Sequence, residues 1–196
     1  MTDRFNITTC SGHPLGEVAS AFQKAVRRGL EDEALHWGVE LDKSNFGEYA
    51  WKRMRIMTSE DVGLAEPTLA AAIYALYQNW LDQRRKKDVK HGPERLFLIH
   101  GILLLVRARK SRIVDHALIT YYGNHEARPI PDYAKDKHTA SGRQLGRGVE
   151  HFFSEGIALE NRAELEDIYA ESARRTMLEA ETGPSPDQES LFRDEE

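Results

Sequence analysis

Leu69, Ala72, Ile73, Leu76, Tyr77 and Trp80 follow one another at steps of three, one, three, one and three. That is the repeat of one face of an α-helix; a strand would scatter these residues over both faces of a sheet. The same spacing governs most of the chain. Val18, Phe22, Ala25 and Val26 form one stripe, Ala34, Trp37, Gly38 and Leu41 a second, and Phe46, Tyr49, Ala50, Met54 and Met57 a third. Alternation of period two never lasts beyond four residues, so strands are not expected. The fold class read from this pattern is all-α, a helical bundle of six to eight helices with short connections.

Punctuation residues divide the stripes. Glu66-Pro67 opens the fourth helix, since proline in a first turn sacrifices no hydrogen bond. Residues 84–93 are basic, polar and closed by Gly92-Pro93, which reads as a loop. Leu96 to Val106 is apolar almost all round and is expected to be the most buried helix, with Leu103 in the core. Ser111 reads as the N-cap of a helix carrying Ile113, Ala117, Leu118 and Tyr121, ended by Gly123. Residues 123–148 read as loop, with a short helix starting at Pro131-Asp132. Leu165, Ile168, Tyr169 and Ala173 mark a last helix. The organisation expected is an N-terminal extension over 1–15, a helical domain over 16–182 and an acidic, disordered tail over 183–196.

Charge and cysteine content narrow the function classes. Residues 1–153 carry a net charge of +4 and residues 154–196 one of −9. The body is too weakly basic to imply nucleic-acid binding from charge alone. No apolar run is long enough to span a bilayer, and Met1 to Gly12 lacks the design of a signal peptide. The lone Cys10 allows no internal disulfide or CxxC metal site, so a reducing cytoplasm is the expected location.

Three blocks then carry a resemblance. Ala21-Phe22-Gln23-Lys24 with Glu33-Ala34-Leu35-His36-Trp37 is similar to the pattern SAFHKS…DAALYW. Arg53 to Leu64, RMRIMTSEDVGL, is similar to RRLxRIASEDIGLADP. Ala108 to Ser111, Ile130 to Tyr133 and Gly142 to Gly148 are similar to PKSN, VPxHLRD and a closing glycine-rich turn. Over residues 20–148 the chain therefore resembles the C-terminal helical domain of the RarA/MgsA family of replication-associated recombination ATPases. The family's GYKYPHD segment is replaced by Gly148 to Phe153. The resemblance implies a fold similar to the clamp-loader C-terminal collar. It implies a homo-oligomer, specifically a tetramer, working with a separate AAA+ ATPase or replication proteins and with DNA in replication and recombination repair. No G-x-x-x-x-G-K-[ST] phosphate loop occurs, because Arg147-Gly148 follows Gly142 and Gly146 where Lys-Ser/Thr is needed. No ATP hydrolysis, no catalytic residue, no metal and no cofactor are expected of this chain.

The candidate contact residues follow from chemistry. Arg107, Arg109, Lys110 and Arg112 sit at a helix junction and, with Lys52, Arg53 and Arg55, are the candidate phosphate contacts. Arg27-Arg28 and Arg84 to Lys87 are further basic clusters. Phe152-Phe153, between a glycine-rich turn and the acidic end, is the candidate oligomer interface. Glu60 and Asp61 are expected to brace backbone groups or to pair with Arg53 or Arg55 around the turn at Gly63. An alternative from another class is a small all-α metal-dependent hydrolase using His100, Asp115 and His116, with His138 as a further candidate. It requires His100, Asp115 and His116 to converge on one cavity.

Overall fold

The computed structural model describes residues 7–85 and 92–182. The expected acidic tail, Lys86 and Lys87 lie outside the described residues. The chain divides into two compact units, Met1–His125 and Glu126–Glu196. Among the described residues the regular structure is helical, with one isolated bridge between Thr8 and Pro14.

The first unit holds α1 (Leu15–Arg28), α2 (Glu31–Lys43), α3 (Gly47–Met57), α4 (Leu69–Arg84), α5 (Glu94–Arg107) and α6 (Ile113–Gly123). Left-handed residues make the short turns. Gly29 at φ 71° ends α1, and the Leu30 N–H donates to the Ala25 carbonyl at 3.0 Å. Asn45 at φ 64° does the same after α2, where the Phe46 N–H donates to Leu41 at 2.8 Å. These closures let α1 pack on α2 and α2 on α3 and α5, while α4 packs on α5. Gly38 sits at the crossing of α2 with α5, where an added Cβ would meet the Ile102 side chain at 2.5 Å.

The core is the set of stripes facing one another. Phe22 and Val26 of α1, Leu41 of α2, Trp51 and Met54 of α3, Ile73 and Trp80 of α4, and Leu98, Ile102 and Leu105 of α5 are all buried. Tyr77, Trp51 and Trp80 form an aromatic cluster with centroids about 6 Å apart. The expectation for Leu96 to Val106 needs correcting. Only the face made by Leu98, Gly101, Ile102, Leu105 and Val106 is buried, while Leu96 is 68% exposed and Leu103 is half-buried. Apolar composition on all sides does not mean burial on all sides, because neighbouring helices cover one face of α5.

In the second unit, a 3-10 turn at Asp132–Ala134 precedes α7 (Ala140–Gln144), α8 (Val149–His151) and α9 (Ala170–Thr182). Residues 123–148 are therefore not all loop. Thr139 caps α7 by accepting the Gly142 N–H at 3.0 Å, and any Cβ on Gly142 would collide with the Asp136 carbonyl. The Arg147 guanidinium donates to the Asp132 and Lys135 carbonyls and to the Asp132 carboxylate. That carboxylate is held below its ordinary range chiefly by the Arg147 hydrogen bond. Glu181 accepts the Val149 N–H with both oxygens at 3.0 Å. The last helix starts later than its apolar spacing indicated. Leu165, Ile168 and Tyr169 precede α9 and are exposed, because the segment has no buried face to pair with.

Candidate functional site

The acidic turn is built by a change of helical pitch. After Met57, α3 widens into a π-helical turn at Thr58–Val62, followed by Gly63 at φ 49° and a 3-10 turn over Gly63–Ala65. The wide turn carries Asp61 inward to full burial and leaves Glu60 partly buried. A buried carboxylate needs ionic or hydrogen-bond partners. Arg27 of α1 supplies both: its Nε donates to Asp61 Oδ1 at 2.5 Å and its Nη2 to Glu60 Oε1 at 2.8 Å. Arg112, just before α6, donates to Asp61 at 3.2 Å, to Glu60 at 3.4 Å and to Asp115. Gln23 Nε2 donates to Glu60 at 2.8 Å, and Arg53 donates to Gln23 Oε1. The Ser111 N–H closes the site on the Asp61 carbonyl at 2.9 Å. Two arginines, Arg27 and Arg112, thus hold three carboxylates where α1, the π turn and the start of α6 meet, with Arg53 joined to them through Gln23.

Glu60 and Asp61 are braced by Arg27 and Arg112, which differs from the expected pairing with Arg53 or Arg55. Arg53 reaches them only through Gln23. Arg55 lies instead over the Tyr77 ring, 5.0 Å from its centroid. Their partners lie 33 to 52 residues away in the chain, beyond the reach of any local pattern. The usable signal was physical: an acidic turn inside an apolar bundle requires cations brought from elsewhere.

The other basic candidates are distributed as follows. Lys110 Nζ donates to the carbonyls of Leu105, Val106 and Ala108, closing the C-terminal end of α5. Burial pushes its ammonium below the ordinary range, against the pull of Asp61 and Glu66. Arg107 pairs with Glu31 at 2.6 Å on an exposed surface. Arg109 donates to the Ala65 carbonyl at 3.2 Å. Of the seven cations singled out as phosphate contacts, Lys52 and Arg55 alone donate no hydrogen bond among the described residues. Both line an open cleft of about 820 Å³ between α3 and α4.

Phe152 and Phe153 lie in a second π-helical turn, Phe152–Gly156, and both are half-buried. Their rings meet edge to face at 5.5 Å, and Phe152 also meets His138 at 5.2 Å. A more extensive apolar surface lies on α6. On α6, Ile113, Leu118, Ile119, Tyr121 and Tyr122 are each more than half exposed. The signal is present, since α6 is apolar over most of its length, but apolar spacing alone does not say whether a helix faces the core or solvent.

The hydrolase alternative does not find its geometry. His100 is exposed and lines a cavity of about 340 Å³ with Glu66, Leu103, Leu104 and Arg107, without Asp115 or His116. Asp115 is committed to Arg112. Among the described residues no group of three or more His, Cys, Asp or Glu could hold a metal. No described helix is long and apolar enough to cross a membrane.

Comparison with known proteins supplies the relationship. The family described as "MgsA AAA+ ATPase C terminal" matches residues 30–166. "Replication-associated recombination protein A" of Bacillus subtilis is 27% identical over 139 residues, 69% of this chain and 31% of that protein. "ATPase WRNIP1" of Dictyostelium discoideum is 24% identical over 164 residues, 81% of this chain and 18% of that protein. The chain thus spans less than a third of the length of either relative. With a helical unit built around the Ser59-Glu60-Asp61 turn and a family match over most of its length, the chain belongs to the MgsA AAA+ ATPase C-terminal family.

Proposed function

We propose that this chain is a non-catalytic helical assembly module acting in DNA replication and recombination. In this reading it self-associates, as a tetramer, and engages a AAA+ ATPase or replication proteins. The observation that carries the proposal is α6. Its N-terminal end is anchored through Arg112 and Ser111 to Asp61, so an apolar helix is held with its large side chains outward. A run of exposed side chains of this kind marks a protein contact rather than ordinary surface. The relatives whose names refer to recombination and ATPases support the biological setting. The phosphate-loop motif needed for nucleotide hydrolysis is lacking in this sequence, which supports the non-catalytic reading.

Light scattering on the purified chain at micromolar concentration tests the assembly. The expected result is a species near four times 22.4 kDa. Leu118→Asp with Ile119→Asp should reduce it to monomer while leaving helical content unchanged. A monomer in the unmutated chain, with no added mass when a AAA+ ATPase of this family is supplied, would reject the proposal. The pair Phe152→Ala and Phe153→Ala tests the other candidate surface: a tetramer that survives it removes those rings from the interface.

A further inference from the structure

Helix α9 of the second unit has no buried residue, whereas each of α1 to α5 buries a stripe of apolar side chains. We propose that α9 is a detachable strap, which closes over α8 through two polar fasteners and leaves as a unit to uncover Val149. Val149 is fully buried, and its N–H is one of the groups that the strap holds.

One face of α9 carries both fasteners. Arg174, Met177, Leu178 and Glu181 follow one another at helical steps of three, one and three, so they share a side. At one end, Arg174 Nη2 donates to Glu150 Oε2 at 2.6 Å, between side chains that are 48% and 64% exposed. At the other, Glu181 accepts the Val149 N–H with both oxygens at 3.0 Å. Met177 and Leu178, between them, are half-buried. Gly148 makes room for the carboxylate, since a Cβ there would lie 2.7 Å from Glu181 Oε1. An exposed ion pair adds little to stability. The fasteners therefore do not replace the apolar burial that holds α1 to α5.

The chain leading into α9 lets it leave. Residues 157–169 form no helix and are exposed throughout, with Leu159, Leu165, Ile168 and Tyr169 each more than two-thirds uncovered. An irregular connection of this length is uncommon inside a compact domain. Extended, it spans roughly 45 Å, enough for α9 to move clear of α8. The part of the unit that stays is fixed by other contacts. Thr139 caps α7, and Arg147 ties Asp132 and the Lys135 carbonyl to the turn before α8. None of these contacts involves α9, so opening leaves them intact. Elements with few buried contacts are the ones that open locally while the rest stays folded. Closed, the strap withholds Val149 and its N–H. Open, it presents an apolar side chain beside a free backbone donor.

The test is thiol labelling of the full chain by an aryl disulfide reagent in a Cys10→Ser background. Val149→Cys places a thiol under the strap, and Val26→Cys, at an equally buried site of α1, reports unfolding of the first unit. Val149→Cys should label at least about a hundredfold faster than Val26→Cys. Glu181→Ala should speed the first at least about tenfold and leave the second unchanged. Hydrogen exchange on Glu181→Ala should show α9 losing protection while α7, capped by Thr139, keeps its own. If Glu181→Ala melts more than α9, Arg174→Glu, which sets like charges at the other fastener, replaces it and should speed labelling at least about threefold. Three results would overturn the proposal. They are equal labelling of Val149→Cys and Val26→Cys, no acceleration by either fastener variant, or α7 losing protection together with α9 in both variants. Labelling reads a single chain and does not depend on assembly through α6, so either proposal can fail alone.

Discussion

Helices α5 and α6 follow one another and are both strongly apolar, yet they have opposite fates. α5 turns Leu98, Ile102 and Leu105 into the centre of the bundle, where α1, α2, α3 and α4 surround them. α6 leaves Leu118, Ile119, Tyr121 and Tyr122 exposed and contacts the bundle through the turns after α3. The difference lies in attachment. Apolar packing holds α5 along its length. Ionic and hydrogen-bonded contacts hold α6 at one end, through Arg112, Asp115 and Ser111 around Asp61. Apolar composition therefore reports that a helix will be covered, but not by which surface.

The sharpest way to break this comparison is Asp61→Ala. It removes two charge-assisted hydrogen bonds at a fully buried carboxylate, those from Arg27 and Arg112, and should cost about 3–5 kcal/mol in denaturant unfolding. Hydrogen exchange should show α6 losing protection before α5. Equal loss in the two helices would mean that α6 is held by packing after all.

Ile102→Ala probes the other member of the pair and should cost about 2–5 kcal/mol, as for a fully buried aliphatic side chain. Leu103→Ala, one residue along but half-buried, should cost only about 1–2 kcal/mol. If the two losses were equal, the one-sided burial of α5 would be wrong. The α6 pair Leu118→Asp and Ile119→Asp should shift monomer stability by no more than about 0.5 kcal/mol. That near-neutrality, measured at concentrations below assembly, separates α6 from α5 most directly.

The smallest expected effect concerns a third mode of attachment, the segment before α1. Glu40 of α2 holds it by accepting from the Ser11 N–H at 3.1 Å and the Ser11 hydroxyl at 3.0 Å. The Glu40 carboxyl is lowered to about 2, first by the neighbouring Thr9 hydroxyl, then by Ser11 and Cys10. Thr9 Oγ1 is buried beside it without forming a hydrogen bond of good geometry. A depressed carboxyl contributes stability above its unfolded value, near 4.5, and loses it as pH falls towards 2. Glu40→Gln should flatten that part of the pH–stability curve, and an unchanged slope would remove Glu40 from the account.

Much of the first unit was legible. Stripes at 3.6 spacing located α1 to α4, since a helix buries whatever recurs on one face, and Val18, Phe22, Leu41, Met54, Ile73 and Trp80 are all buried as read. The family could be read from three blocks in order, of which Arg53 to Leu64, with its Ser59-Glu60-Asp61 turn, is the most specific. Legibility fell where helices are short and held by polar caps. At α7 the single capping hydroxyl of Thr139 sets a boundary that apolar spacing does not record.

The sequence by itself determined that this chain is helical, where its long helices run and which family it belongs to. Those properties depend on residues within a turn or two of one another. Tertiary structure alone decided the partners of the acidic turn, the exposed face of α6 and which of the candidate cations are paired among the described residues. Each depends on residues tens of positions apart, and burial and charge pairing act through space rather than along the chain.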